Sequence, residues 1–149
     1  MALPEPPLRV LLVSHVAPPH VGGVEQLARH EAEALRAEGH EVTWSTSDAD
    51  GAGEVVAARP GLHIERVRAW HLMERRFHIA YPLFGPGLWW RMWKAVGKVD
   101  LVHVHGLVFM NSIAAVVVAR LRGRRCVLTD HGGIQRYKSK LGTFALRVL

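Results

Sequence analysis

The stretch from Arg9 to Val42 constrains the fold more than any other part of the sequence. It begins with an unbroken apolar run, Val10 to Val13, which is typical of a parallel strand buried on both faces. A turn rich in proline and glycine follows, and then apolar residues recur at helical spacing at Val24, Ala28, Ala32 and Leu35. Gly39 predicts the end of this helix, and a second strand-like run begins at Glu41. The stretch therefore predicts a strand, loop, helix, strand unit.

The rest of the chain continues the alternation of strands and helices. We expect further strands at His63 to Val67, Leu101 to His105 and Arg125 to Thr129, and helices at Leu88 to Val96, Met110 to Leu121 and Arg136 to Leu149. For the helix that starts at Met110, the expected cap is Asn111 or Ser112. Such alternation predicts an α/β fold, a Rossmann-like parallel sheet with strand order 3-2-1-4-5 and helices on both faces. Residues 1–149 are expected to form one domain.

Composition narrows the class of protein. With 49% hydrophobic and 21% charged residues, the chain has the content of a folded globular domain, which excludes intrinsic disorder. The single cysteine, Cys126, has no partner for an intramolecular disulfide, which fits a reducing cytoplasm, and it is expected to be a small buried residue. The N-terminus lacks the pattern of a signal peptide, and the longest apolar segment, Ile113 to Ala119, is too short to cross a bilayer. We expect a cytoplasmic location.

The segment from Arg66 to Lys98, here called the basic aromatic segment, combines seven basic residues with one acid, Glu74. It also holds seven of the eleven aromatic residues. One interpretation is peripheral contact with the anionic inner face of a membrane, through Trp89, Trp90, Arg91, Trp93 and Lys94. The other is a helix that buries Leu88, Met92 and Val96 in the core and leaves its cations solvated. No nucleic-acid-binding signature accompanies the charges, and no nucleic-acid partner is expected.

Ligands of parallel α/β sheets bind beyond the carboxyl ends of the strands, where the strand order reverses. This rule selects His15 and the pair Gly22 and Gly23 after strand one, His103 and His105 in strand four, and Asp130, His131 and Gly132 after strand five. Paired glycines at a helix start can admit a phosphate to the backbone N–H groups, or they can simply form a tight turn. The three-glycine dinucleotide fingerprint and the P-loop are absent, which argues against an ordinary nicotinamide or ATP site.

The histidines also raise the question of a metal. His103 and His105 are two residues apart on a strand, so their rings share a face and could bind zinc, with His131 as a third ligand. No carboxylate or further histidine lies at the short spacings of metallohydrolases, and we expect no metal. As an interior strand residue, His103 is expected to pack and hydrogen-bond beneath the site. His105 and His131, at strand ends, are better placed to contact a ligand.

Three segments in order carry a family resemblance: PHVGGVEQLARHEAEALRAEGHEV, DLVHVHG at Asp100 to Gly106, and VLTDHGG. With these, the chain resembles the N-terminal domain of family 4 glycosyltransferases, which are retaining enzymes of the two-domain GT-B architecture. The resemblance implies that Gly22 and Gly23 lie against the phosphates of a nucleotide-sugar donor. It implies that His131 is the catalytic position, near the anomeric centre of the donor sugar. His105, His103, Glu25 and Arg136 would line the acceptor side.

The sequence departs from this family in length. The family's second Rossmann-like half carries most nucleotide contacts, including two glutamates seven residues apart, and that motif is absent here. We therefore expect an incomplete acceptor-side domain that is inactive without a missing or separately encoded C-terminal domain. Its substrates would be a nucleotide sugar and a carbohydrate, lipid-linked or cell-envelope polysaccharide acceptor, with no other cofactor. The alternative is a noncatalytic basic module that docks on anionic lipid or a partner protein.

Overall fold

The computed structural model describes residues 6–15, 22–48, 60–70, 72–77 and 81–131, with the backbone alone for 73–75. The strands are β1 (Arg9–Val13), β2 (Glu41–Ser47), β3 (Leu62–Val67), β4 (Ala69–Trp70), β5 (Leu83–Phe84), β6 (Leu101–His105) and β7 (Arg125–Thr129). The helices are α1 (Gly23–Ala37), α2 (Leu72–Phe77), α3 (Gly87–Gly97) and α4 (Met110–Leu121). The predicted helix at Arg136 to Leu149, like Gly132 and Arg136 themselves, lies outside the described residues.

Five strands form one parallel sheet in the order β3-β2-β1-β6-β7. Numbered within that sheet alone, this is the predicted order 3-2-1-4-5, and the Rossmann-like prediction is confirmed. In the register of the sheet, Leu12 of β1 lies between Trp44 of β2 and His103 of β6. The remaining strands, β4 and β5, form a separate antiparallel pair that the sequence did not predict, because two residues are too few to show a periodicity.

The central strand β1 is buried on both faces because helices cover both. Leu11 and Val13 pack with α3 and α4, whereas Leu12 packs with Ala28 and Ala32 of α1. Successive side chains of a strand point to opposite faces, so an unbroken apolar run serves two cores at once. Each fully buried leucine contributes about 1.5–3 kcal/mol to folding.

The boundaries of α1 follow from glycine. Gly22 precedes the helix in an extended conformation and provides no side-chain cap. At the other end, Gly39 has φ of 92°, and its N–H donates to the carbonyl of Arg36. A residue with a Cβ would be strained at that angle, so the prediction that Gly39 ends the helix is confirmed.

The predicted cap of α4 was wrong. The N-cap is Phe109, which makes no side-chain hydrogen bond to the helix end. Asn111 and Ser112 lie inside the first turn and bond outward instead: Asn111 Nδ2 donates to the carbonyl of Ser14 at 2.7 Å, and Ser112 Oγ donates to the carbonyl of His105 at 3.4 Å. These side chains therefore fasten the start of α4 to the ends of β1 and β6.

The sheet ends at β7 within the described residues, and β7 pairs with β6 alone there. The prediction that Cys126 is buried was wrong: it is exposed, since its strand lies at the edge of the sheet. In the described part of the chain, no helix is both long and apolar enough to cross a membrane.

Candidate functional site

The carboxyl ends of β1, β6 and β7 meet at one edge of the sheet, where the strand order reverses. Two histidine side chains from the ends of β6 and β7 are in contact there. His105 Nδ1 lies 2.8 Å from His131 Nε2, and their rings stack with centroids 5.1 Å apart. His103 lies beside them, with its ring 4.6 Å from that of His105 and its Nε2 2.8 Å from Thr129 Oγ1. Three of the four histidines selected from the sequence are thus brought together, whereas His15 contacts Glu25 and Phe109 instead.

A carboxylate from α1 completes this group. Glu31 bonds with His103 Nδ1 through one oxygen, and its other oxygen lies 3.2 Å from His105 Nε2. Burial by itself would raise the pKa of the Glu31 carboxyl, but hydrogen bonds from His103 and His105 lower it to about 2. Glu31 is therefore ionised at neutral pH and can accept an N–H from each ring. We call Glu31, His103, His105, Thr129 and His131 the histidine cluster.

Glu31 was not predicted as a site residue, although the sequence contains a signal for it. Glu31 follows Ala28 by three residues and precedes Leu35 by four, which places it on the helix stripe that faces the sheet. Burying a glutamate on an otherwise apolar, sheet-facing stripe lowers the stability of the fold unless the carboxylate is paired or hydrogen-bonded. The histidines on the same face of β6 are that partner.

Burial divides the roles within the histidine cluster. His105 is fully buried, His103 is half-buried, and His131 is exposed. The expectation that His103 packs and hydrogen-bonds beneath the site is confirmed by its bond with Thr129. His131 is the solvent-exposed histidine of the cluster, and the buried His105 contacts it from the side of the core. The contact of His105 with an acceptor stays a prediction.

The two glycines at the start of α1 have different surroundings. The side chain of Glu25 lies against Gly22, where a Cβ would overlap with its carboxylate. Glu25 is buried, and its Oε1 lies 3.4 Å from Nε2 of His15, whose ring stacks on Phe109. Among the described residues, Gly23 instead borders open space, with no neighbouring atom within 4 Å of the position of a Cβ. The opening at the helix start is therefore at Gly23, while Gly22 makes room for Glu25.

One further polar group lies at this edge. Asn111 is buried, and its Oδ1 has no hydrogen-bond partner among the residues that the structure describes. Its amide nitrogen holds the carbonyl of Ser14, at the end of β1. The sequence indicated Asn111 only as a helix cap, so this inward carbonyl could not have been predicted from it.

With this geometry in place, comparison with known proteins decides the family. The family model described as Glycosyltransferase Family 4 matches residues 21–149, a range that holds the paired glycines and every residue of the histidine cluster. The chain belongs to glycosyltransferase family 4. Its Rossmann-like α/β sheet is consistent with one half of a GT-B fold.

Other comparisons add little to this family assignment. No match is found among curated proteins. Among solved structures, the C-terminal domain of PF1911 hydrogenase from Pyrococcus furiosus is similar, with a TM-score of 0.49 and 17% identity over 86% of this chain and 95% of that one. A likeness of that size carries no argument about function.

The structure of this family 4 domain tests one of the two interpretations of the basic aromatic segment, and contact with a membrane stays a prediction. Leu88, Met92 and Val96 on one side of α3 are buried, which confirms the core-packing interpretation. The other side exposes Trp89, Trp90 and Trp93. Tryptophan rings carry cations here: Lys94 Nζ lies 4.8 Å from the ring of Trp90, and the Arg122 guanidinium lies 4.6 Å from the ring of Trp93.

A groove of about 840 Å³ runs between α3 and the strands β2 and β3 of the domain. Arg91, Lys94 and Lys98 line it, and Glu65 on the opposite wall lies 3.6 Å from the Arg91 guanidinium. None of the histidine cluster lines this groove, so it is distinct from the candidate site.

Proposed function

We propose that this family 4 domain is the acceptor-side half of a retaining glycosyltransferase, which moves a sugar from a nucleotide-sugar donor to a lipid-linked or polysaccharide acceptor. The observation that carries the proposal is the exposed His131 ring at the strand-order reversal, held from behind by His105, which Glu31 contacts in turn. A side chain that grips a reacting sugar needs a fixed orientation, and this chain of contacts supplies it.

The contacts also define which nitrogen of His131 faces the crevice. We propose that His105 carries its proton on Nε2, which lies 3.2 Å from the ionised Glu31 carboxylate, so that His105 Nδ1 has a lone pair and accepts the N–H of His131 Nε2. His131 Nδ1 is then an acceptor for a sugar hydroxyl. Glycosyl transfer with retention builds positive charge on the sugar and negative charge on the departing phosphate. In this proposal the His131 imidazole positions the positively charged sugar. The backbone N–H groups at the start of α1, beside Gly23, stabilise the negative charge on the departing phosphate.

A single half does not enclose a donor. We propose that a second Rossmann-like domain, in the same polypeptide or encoded separately, holds most of the nucleotide and closes the crevice. Arg136, five residues beyond His131, is proposed to hold an anionic acceptor, and Glu25 and His103 to support the acceptor side. In this proposal the transfer needs no metal, because charge on the leaving phosphate is met by helix N–H groups.

Nuclear magnetic resonance can test the donor site on this chain directly. Uridine and guanosine diphosphate sugars are added to the ¹⁵N-labelled chain, and the amide signals of Gly23 and His131 are expected to shift together at millimolar donor. Gly23→Val fills the open space and His131→Ala removes the ring, so each variant should abolish the shifts. The matched control is His63→Ala, which removes an exposed histidine from β3. Shifts that are absent, or that survive both site variants, contradict the proposal.

A second proposal concerns the outer side of α3. We propose that Trp89, Trp90 and Trp93, with Arg91 and Lys94, contact the anionic lipid of the cytoplasmic membrane face. Three exposed tryptophans on one short helix support this proposal, since indole rings partition to the headgroup region. Each nearby cation adds about 1 kcal/mol of attraction to such a surface. A chain that binds lipid and no sugar nucleotide would instead be the noncatalytic basic module.

Vesicle co-sedimentation tests the lipid proposal. Binding is expected to vesicles that contain phosphatidylglycerol and not to phosphatidylcholine alone. Trp90→Ser should weaken it, whereas Trp70→Ser is a matched control, because Trp70 is 64% exposed on β4 and Trp90 is 62% exposed on α3. Equal loss of binding in the two variants would argue against a surface built on α3.

A further inference from the structure

Three potential metal ligands in the histidine cluster face one another. Potential ligand atoms, one each from Glu31, His103 and His105, lie within 4.8 Å of one another, and the carboxylate of Glu31 contacts Nδ1 of His103 and Nε2 of His105. Two imidazoles and a glutamate are a common zinc ligand set. The carboxylate of this set comes from α1, far earlier in the chain than the two histidines, so the short sequence spacings of metallohydrolases do not reveal it.

The distance between Glu31 and His105 suits a small tetrahedral ion, and the shorter contact between Glu31 and His103 would have to open to admit one. Two ligands that each lie about 2.0–2.1 Å from a tetrahedral zinc are about 3.4 Å apart. The Glu31 oxygen and His105 Nε2 are separated by 3.2 Å, and the other Glu31 oxygen is closer to His103 Nδ1. Glu31 and His103 are partly exposed, which leaves a route for an ion from solvent.

The remaining ring nitrogens already have the partners that metal-bound histidines use. A histidine that binds a metal through one nitrogen usually donates the N–H of the other to a fixed acceptor. His103 Nε2 lies 2.8 Å from Thr129 Oγ1, and His105 Nδ1 lies 2.8 Å from His131 Nε2. Both acceptors are therefore in place, and the nitrogens that face Glu31 can offer their lone pairs.

We propose that Glu31, His103 and His105 bind one Zn²⁺ ion, with a fourth position open to water. The ion lies on the far side of the His105 ring from His131, so it takes no direct part in sugar transfer. Its effect on His131 is to reverse a hydrogen bond. With zinc on Nε2, the proton of His105 lies on Nδ1 and is donated to His131 Nε2, which leaves His131 with an N–H at Nδ1.

Zinc occupancy therefore sets whether His131 offers a lone pair or an N–H to the crevice. Without the ion, the proposed proton of His105 lies on Nε2, the nitrogen that faces Glu31, and His131 presents an acceptor; with the ion, His131 presents a donor. The proposal does not depend on glycosyl transfer, because zinc binding and histidine tautomers are measured without any sugar nucleotide.

The test is a competition titration of Zn²⁺ between this chain and a chromophoric chelator of micromolar affinity. One equivalent is expected to bind. Glu31→Gln removes a ligand and should weaken binding by at least about 100-fold, beyond the 10–100-fold typical of outer partners. Glu33→Gln, two residues along α1, makes the same chemical change at a residue that pairs with Arg29 and should leave the affinity unchanged.

Two further measurements keep the proposal open to refutation if Glu31→Gln fails to fold. Thr129→Val removes an outer partner and should weaken zinc binding about 10–100-fold. In long-range ¹H–¹⁵N spectra, the protonated ring nitrogen of His105 should change from Nε2 to Nδ1 when zinc is added. The chain has ten histidines, so weak surface binding is a real competitor. No binding, or equal affinity in Glu31→Gln and Glu33→Gln, overturns the proposal, as does an unchanged affinity in Thr129→Val.

Discussion

The hydrogen bond between Trp44 and Ser14 joins the polar end of β1 to the core, and removing it should destabilise the fold. Trp44 is fully buried in β2, and its Nε1 donates to Ser14 Oγ at 2.8 Å. Ser14→Ala removes the acceptor and leaves the indole N–H buried. An unsatisfied buried donor costs about 1–3 kcal/mol, more than the hydrogen bond contributes on balance when both partners are present. We therefore expect Ser14→Ala to lower the free energy of unfolding by about 2 kcal/mol.

Equilibrium urea denaturation followed by tryptophan fluorescence measures that change. In thermal denaturation of a domain of this size, a loss of about 2 kcal/mol in the free energy of unfolding lowers the melting temperature by about 4–8 °C. The control is Ser47→Ala, also fully buried, at the end of β2. Ser47 Oγ has no hydrogen-bond partner among the residues that the structure describes, so removing it should cost little.

A double-mutant cycle isolates the contribution of the bond itself. In the Trp44→Phe background the indole N–H is gone, so Ser14→Ala should cost less there than in the unmodified chain by about 1–2 kcal/mol. If Ser14→Ala costs the same in both backgrounds, or no more than Ser47→Ala, the argument that the indole needs this acceptor is refuted.

Three other predictions concern the core, a turn and an ion pair. Met92→Ala should destabilise the chain by about 2–5 kcal/mol in urea denaturation, because Met92 is buried on the inner side of α3 and its loss leaves a cavity. A destabilisation below about 1 kcal/mol would mean that Met92 does not anchor α3 to the core. Gly106→Ala should cost about 1–2 kcal/mol by the same assay, since Gly106 has φ of 74°, while Gly87→Ala at the start of α3 should be neutral or stabilising. The Arg9 side chain and N–H hydrogen-bond with Asp100 and hold the pKa of that carboxyl at about 2, below its usual 3.8. The pair therefore stabilises the fold above about pH 4 and loses this effect as the pH falls toward 2, so the difference in melting temperature between the unmodified chain and Asp100→Asn should narrow from about pH 5 to about pH 2.5. A difference in melting temperature that stays constant between these pH values would contradict the stabilising role of the Arg9–Asp100 pair.

The elements that matched the sequence share one property: their signal is local. The bounds of β6, α4 and β7 agree with the predicted ones, and α3 extends one residue further at each end. Burial of a strand or a helix stripe leaves a periodicity that can be seen over a few residues. The features that the sequence did not predict lack such a local signal. A two-residue strand such as β4 has no period, and Asn111 resembles a cap until its amide is seen to bond with Ser14.

The sequence by itself determined the order of the five parallel strands and of α1, α3 and α4, and hence the strand-order reversal at which His105 and His131 meet. Hydrophobic periodicity, turn residues and the handedness of crossovers suffice for that result. Only the tertiary structure decided what surrounds those histidines: Glu31 bridges His103 and His105, and Glu25 fills the space beside Gly22. The contacts of Glu31 join residues far apart in the chain, and their geometry follows from how closely α1 packs on the sheet, which no local pattern of residues records.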